Sequence, residues 1–227
     1  MGAVIKKELK NSFFSPIGYI VIGIFLLVCS VFFFLTTINR SSVDLTFLFY
    51  YVASWGLIFI IPLLTMWTFS GERKNGTDQI LLTSPVGMIG VVIAKFLSAM
   101  ILIIIPVLCT FMYYGILCFF EVPNIQIFLT SMLGFVLLSC AYISMGILAS
   151  SITESPIISG ILTLAAIFGC TWVPYLVKSL SNLSLMDQFI NFLYGQIDLA
   201  SVVLFLTITI SCLLITIIIM QRRKCIK

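Results

Sequence analysis

Ser70-Gly71-Glu72-Arg73-Lys74-Asn75-Gly76-Thr77-Asp78-Gln79-Ile80-Leu81-Leu82-Thr83-Ser84-Pro85 is the longest polar interruption in the first half of the chain, and long apolar blocks flank it on both sides. It carries Glu72, Arg73, Lys74 and Asp78 and is punctuated by Gly71 and Gly76. Ionised groups are costly in hydrocarbon, by several kcal/mol each, so a segment of this kind between two apolar helices belongs at an aqueous face. What it touches there becomes the question about function.

The composition agrees with that placement. Of 227 residues 61% are hydrophobic and 9% charged, there is no histidine, and the mean hydropathy is +1.23, which leaves too little polar surface to cover a soluble globule. The chain reads as an all-α, polytopic membrane protein. Its net charge of +4 matters less for an acidic partner than for where the basic residues fall, and nothing points to nucleic acid. The seven cysteines stand singly, mostly inside apolar runs and without a C-x-x-C pair, as small buried apolar residues do. With no histidine and no clustered thiolates, a transition-metal site has few ligands to draw on.

Outward from the polar segment, six spans are expected, at 17–38, 45–69, 91–117, 125–152, 157–177 and 199–220. Each has about 20 or more residues, enough at 1.5 Å per residue to cross a hydrocarbon core of about 30 Å. Before them, 1–14 places Ile5, Leu9 and Phe13 four apart, with Lys6, Lys7 and Lys10 off that stripe. This is the pattern of a helix lying in the interface. A signal peptide would also begin with lysines, but no small-residue cleavage site follows. Pro62 and Pro106 interrupt the second and third spans, and each removes a backbone hydrogen bond, a kink that serves either packing or gating. Lys95 opens the third span and is long enough to snorkel to the face that holds Arg73 and Lys74. The fourth span, with Ser139, Ala141, Ser144, Gly146, Ala149 and Ser150, has the small residues that let helices approach closely, so an interior position is expected. The stretch 178–198 is too polar to span and too apolar for a free loop; short helices at the outer interface, broken at Gly195, account for it.

Lys6, Lys7, Lys10, Arg73, Lys74, Lys95, Arg222, Arg223, Lys224 and Lys227 fall on one face of this arrangement, against Arg40 and Lys178 on the other. By the positive-inside rule both termini and the polar segment are cytoplasmic. Motif chemistry is sparse: there is no G-x-x-x-x-G-K-[ST] loop, no H-E-x-x-H, and no histidine for a nucleophilic triad. No carboxylate is plainly stranded at mid-membrane, which counts against an ion-coupled carrier. The energy for any transport would come from another subunit.

A basic interfacial helix, a second span ending in S-G-E-R-K-N-G-T-D-Q-I-L-L-T-S-P and a lysine opening the next span together resemble the membrane subunit of ABC-2 type transporters. The family signature E-R-x-x-G-T, then Leu-Leu, then Ser-Pro, then Lys is matched by Glu72, Arg73, Gly76, Thr77, Leu81, Leu82, Ser84, Pro85 and Lys95. The late run Phe189 to Asp198 is similar to the family's final extracellular segment, with Tyr194 where arginine is common. The resemblance is closest to the compact branch that includes gliding-motility, copper-maturation and peptide or antibiotic export permeases.

That resemblance implies a permease whose segment 70–86 is a cytoplasmic coupling helix seated on a separate ATPase subunit. Glu72, Arg73, Lys74, Gly76, Thr77, Asp78, Leu81, Leu82 and Pro85 would contact it, while Ile5, Lys6, Leu9 and Phe13 would form the elbow helix. It further implies two ATPase copies that bind ATP and Mg, a second permease copy or homologue, and export across a bacterial plasma membrane; the chain itself would hold no cofactor and no active site. Phenylalanine and methionine richness, with Met66, Met100, Met112, Met132 and Met145, fits a hydrophobic or amphipathic substrate such as a peptide or drug, and equally fits core packing and lipid contact. Two other classes remain: a channel or assembly scaffold not coupled to ATP, and a membrane-embedded enzyme built on Ser139, Ser144, Asp187 and Asp198.

Overall fold

A computed structural model of the chain describes residues 10, 16–38, 45–76, 87–120, 122–176 and 184–226. Among these residues the structure is helical, without strands. The expected interfacial helix lies outside the described residues apart from Lys10, so Ile5, Lys6, Leu9 and Phe13 do too. Thr77, Asp78, Leu81, Leu82 and Pro85 also lie outside them.

The first span is α1, Pro16–Phe33, continued by a π-helical turn over Phe34–Ile38. The second is α2, Thr46–Tyr51, a π turn at Val52–Gly56, and α3, Leu57–Thr65. The chain then turns into α4, Ser70–Lys74, so the expected coupling helix is helical for one short stretch before a turn at Asn75 and Gly76. The third span begins at Met88, three residues earlier than expected. It divides at Thr110 into α5, Met88–Cys109, and α6, Phe111–Leu117. Pro106 lies inside α5, where its missing N–H affects only the bond to the Leu102 carbonyl; the break comes at Thr110, whose Oγ1 (2.6 Å) and N (3.0 Å) both donate to the Val107 carbonyl in place of an α-helical bond.

The remaining elements are α7, Ile125–Ile152; α8, Pro156–Leu176; α9, Leu185–Leu193; and α10, Leu199–Ile226. Among the described residues, five helical segments are long and apolar enough to cross a membrane. The expected fifth span is α8, whose apolar stretch Pro156–Trp172 is shorter than the other five. The last helix does not stop at residue 220 but continues through the basic tail to Ile226.

The fourth span is interior, as its small residues require. α7 packs against α3, α5, α8, α9 and α10, with buried side chains on all its faces. A Cβ on Gly146 would stand 2.8 Å from Thr65 Cβ, and one on Gly134 2.6 Å from Phe192 Cβ, so α3 and α9 approach α7 at positions only glycine allows. Hydroxyls buried in this apolar setting bond to their own helix: Thr65 donates to Ile61 O and Ser139 to Phe135 O, each at 2.8 Å.

The opposite half of the bundle, away from α4, is filled by phenylalanines. Phe135 lies edge-on to Phe25 and Phe49, with centroids 5.9 Å apart in each case, and Phe189 joins them from α9. α9 is amphipathic and buries Leu185, Met186, Phe189, Phe192 and Leu193. Ser184 caps it by accepting from Asp187 N (3.2 Å), and Gly195, at φ +79°, ends it at the expected break. Much of the phenylalanine content is therefore core.

Candidate functional site

The chain leaves α3 after Pro62, and Met66 N is the donor that closes the last turn on the Pro62 carbonyl (2.9 Å). The backbone then starts a new helix at Ser70, and α4 has no N-capping side chain of its own. Its first N–H groups need acceptors, and the interior offers no water. Ser150, near the end of α7, meets the need: its Oγ accepts from Phe69 N at 3.0 Å and Ser70 N at 3.1 Å. Ser150 and Ser70 are fully buried, and Ser70 Oγ also donates to the Met66 carbonyl.

The contact is reciprocal. α7 ends at Ile152 with carbonyls that have no partner in their own helix. Arg73, in α4, donates from Nη1 to Thr153 O (2.8 Å) and from Nη2 to Ser151 O. A guanidinium at a helix C-terminus both fills those acceptors and opposes the negative end of the dipole. Thus α7 caps the start of α4, and α4 caps the end of α7.

The neighbouring side chain faces α5 instead. Glu72 Oε1 accepts from Lys95 Nζ at 2.7 Å, and the same ammonium donates to Thr68 O at 2.8 Å and lies 5.1 Å from the centre of the Phe69 ring. Lys95 is 4% exposed. Its length carries the ammonium to the face that holds Arg73, as expected, but there it is buried against a carboxylate and a carbonyl. A buried lysine needs such partners to remain in place.

Glu72 and Arg73, adjacent in sequence, therefore lock one short helix to two different spans. Both are engaged within the chain rather than pointing outward. Lys74 differs: it is exposed, with its ammonium 5.9 Å above the Trp67 ring. Gly71 packs against Trp67, where a Cβ would stand 2.9 Å from the indole, and Gly76, at φ +71°, makes the turn that follows.

From sequence, Glu72, Arg73, Gly76 and Lys95 were recognisable as a group, whereas the part played by Ser150 was not. Ser150 stood out only as a small residue; nothing in its neighbours marks it as the cap of a helix 80 positions away. The residues of the enzyme reading do not assemble: the Ser139 and Ser144 hydroxyls donate to carbonyls of their own helix, while Asp187 lies in the first turn of α9 and Asp198 caps the start of α10, at the opposite end of the bundle.

The family model described as ABC-2 family transporter protein matches residues 3–212. No curated protein matches the chain.

Proposed function

The chain belongs to the ABC-2 transporter family, a family of membrane permeases, and from that premise we propose that it is the membrane-spanning subunit of an ATP-driven exporter. Two copies, or one copy and a homologue, pair across the membrane and bind two ATPase subunits, which hold ATP and Mg. Both termini and α4 face the cytoplasm of a bacterial cell, in line with the lysine and arginine census. The segment 70–86 receives the ATPase, with Lys74 outward and Glu72 and Arg73 directed into the bundle.

One observation carries this reading: α4 is joined by charge-assisted contacts to α5 and α7 at once, through Lys95–Glu72 and Arg73 with Ser151 and Thr153. A loop that merely fixed topology would have no need of buried, directional contacts to two spans. A segment that must pass force to them does.

The substrate is hydrophobic or amphipathic. A groove of about 480 Å³ opens at the opposite end from α4, between α2, the start of α7 and α9, lined by Phe47, Tyr50, Tyr51, Ile127, Leu193 and Tyr194 among others. Its size and its aromatic walls with phenolic hydroxyls suit a molecule with an apolar body and a polar edge.

The reading is tested by purifying the tagged chain from its own host in mild detergent and identifying what accompanies it. A P-loop ATPase in equal number with the permease is expected. Recovery of the chain alone in several detergents overturns the proposal and leaves a channel or scaffold.

A further inference from the structure

Three successive carbonyls at the end of α7, those of Ser151, Ile152 and Thr153, are taken by two arginines from different parts of the chain. Arg73 holds the first and third; Arg223, on α10, donates to the second from Nη2 (3.2 Å). Arg73 Nη2 also meets Met220 Sδ, at 3.7 Å, on the same helix as Arg223. Met220 is 4% exposed. Arg223 and Met220 lie beyond residues 3–212, the stretch that matches the family.

Two guanidiniums repel, and they share this place because the carbonyls at a helix C-terminus carry the opposite partial charge. Each arginine thus holds the other's binding surface in position. The rest of the α10 seam is of another kind. Ser201, Phe205, Thr209, Thr216 and Met220 form its buried stripe, and the Thr209 and Thr216 hydroxyls bond to Phe205 O and Cys212 O of their own helix. Ser201 Oγ donates to Gln188 Oε1 of α9, and Cys212 meets the Ser144 hydroxyl of α7. Apart from these two, the seam is of small and apolar side chains, which resist separation but do little against sliding and rotation, the motion by which packed helices shear. The end contacts, having direction, remove that freedom.

We propose that α10 is a driven helix, clamped to the coupling turn through the α7 carbonyls, with Arg223 and Met220 as positioning residues that make it follow α4. The inference rests on the exporter reading for the source of movement. ATPase closure displaces α4, Arg73 carries the end of α7 with it, and Arg223 and Met220 carry α10. The basic tail therefore transmits motion in addition to fixing topology.

The test measures one distance. Nitroxide labels at Asn75→Cys and Gln221→Cys, with the seven native cysteines replaced, report the separation of α4 and α10 by pulsed electron resonance in lipid nanodiscs. In the otherwise native chain the distribution is narrow and the same in the nucleotide-free and vanadate-trapped complex. Arg223→Gln broadens it in the permease alone, and on trapping shifts it while ATP hydrolysis persists; Arg223→Lys, with a charge but no fork, gives an intermediate width. A distance that changes on trapping with Arg223 present, or a distribution left narrow by Arg223→Gln, overturns the proposal. Because the broadening is read without an ATPase, absence of an ATPase on purification defeats the exporter reading alone.

Discussion

Replacing Glu72 with leucine removes the carboxylate 2.7 Å from the Lys95 ammonium. At an effective dielectric of about 20, charges at that separation attract by about 6 kcal/mol, from which the desolvation of both must be subtracted. The two side chains are unequally buried, 4% exposed for Lys95 and 26% for Glu72. Loss of Glu72 leaves an ammonium inside the bundle, and loss of Lys95 leaves a carboxylate whose Oε2 is itself buried. Glu72→Leu and Lys95→Met should therefore each cost about 3–5 kcal/mol, the range for breaking a buried pair. With both replaced, no charge is stranded and most of the loss should return, since apolar residues of similar volume often substitute for a buried pair without net cost. Thermal unfolding of the purified protein followed by tryptophan fluorescence reads the series: about 2–4 °C per kcal/mol places Glu72→Leu about 6–20 °C below the parent, with the double variant close to the parent. Additive losses in the double variant would refute the buried pair.

Ser150→Ala strips the acceptor from Phe69 N and Ser70 N, and a loss of about 1–2 kcal/mol in the same unfolding assay is expected, with faster amide exchange over Ser70–Lys74. Gly146→Leu drives a side chain into Thr65 and should lose about 3 kcal/mol or more, or fail to insert, while Gly169→Ala, with open space around its Cβ, changes little. Gly76→Ala places a Cβ at φ +71° and should cost about 1 kcal/mol, and ATPase recovery with the tagged chain should fall because the outward turn is displaced. Arg73→Gln should lower substrate-stimulated ATP hydrolysis by the complex while membrane insertion, read by protease accessibility, is retained. An unchanged ratio of transport to hydrolysis would remove α4 from the coupling route.

Much of the fold was legible because bilayer physics is one-dimensional. Apolar length and polar interruption along the chain marked out the long apolar helices, and the run of small residues from Ser139 to Ser150 marked α7 as the interior helix. The break at Thr110 was not marked by Pro106, which sits inside α5; its place depended on where a hydroxyl found a carbonyl.

Side-chain partnership was a different matter. A lysine at the mouth of a span can snorkel or pair, and the stem length of Lys95 permits both; only the arrival of Glu72, 23 positions earlier in the chain, decided it. Arg73 read as an outward contact because a charged residue in a short polar segment ordinarily is one. It turns inward because α7 ends beside it with unfilled acceptors, and Ser150 caps α4 for the complementary reason. The sequence by itself determined which segments enter the membrane and which is charged, since transfer free energy is summed locally along the chain. The tertiary structure alone decided which charges and helix ends meet, since an orphan donor or carbonyl is satisfied by whatever packing brings within 3 Å of it.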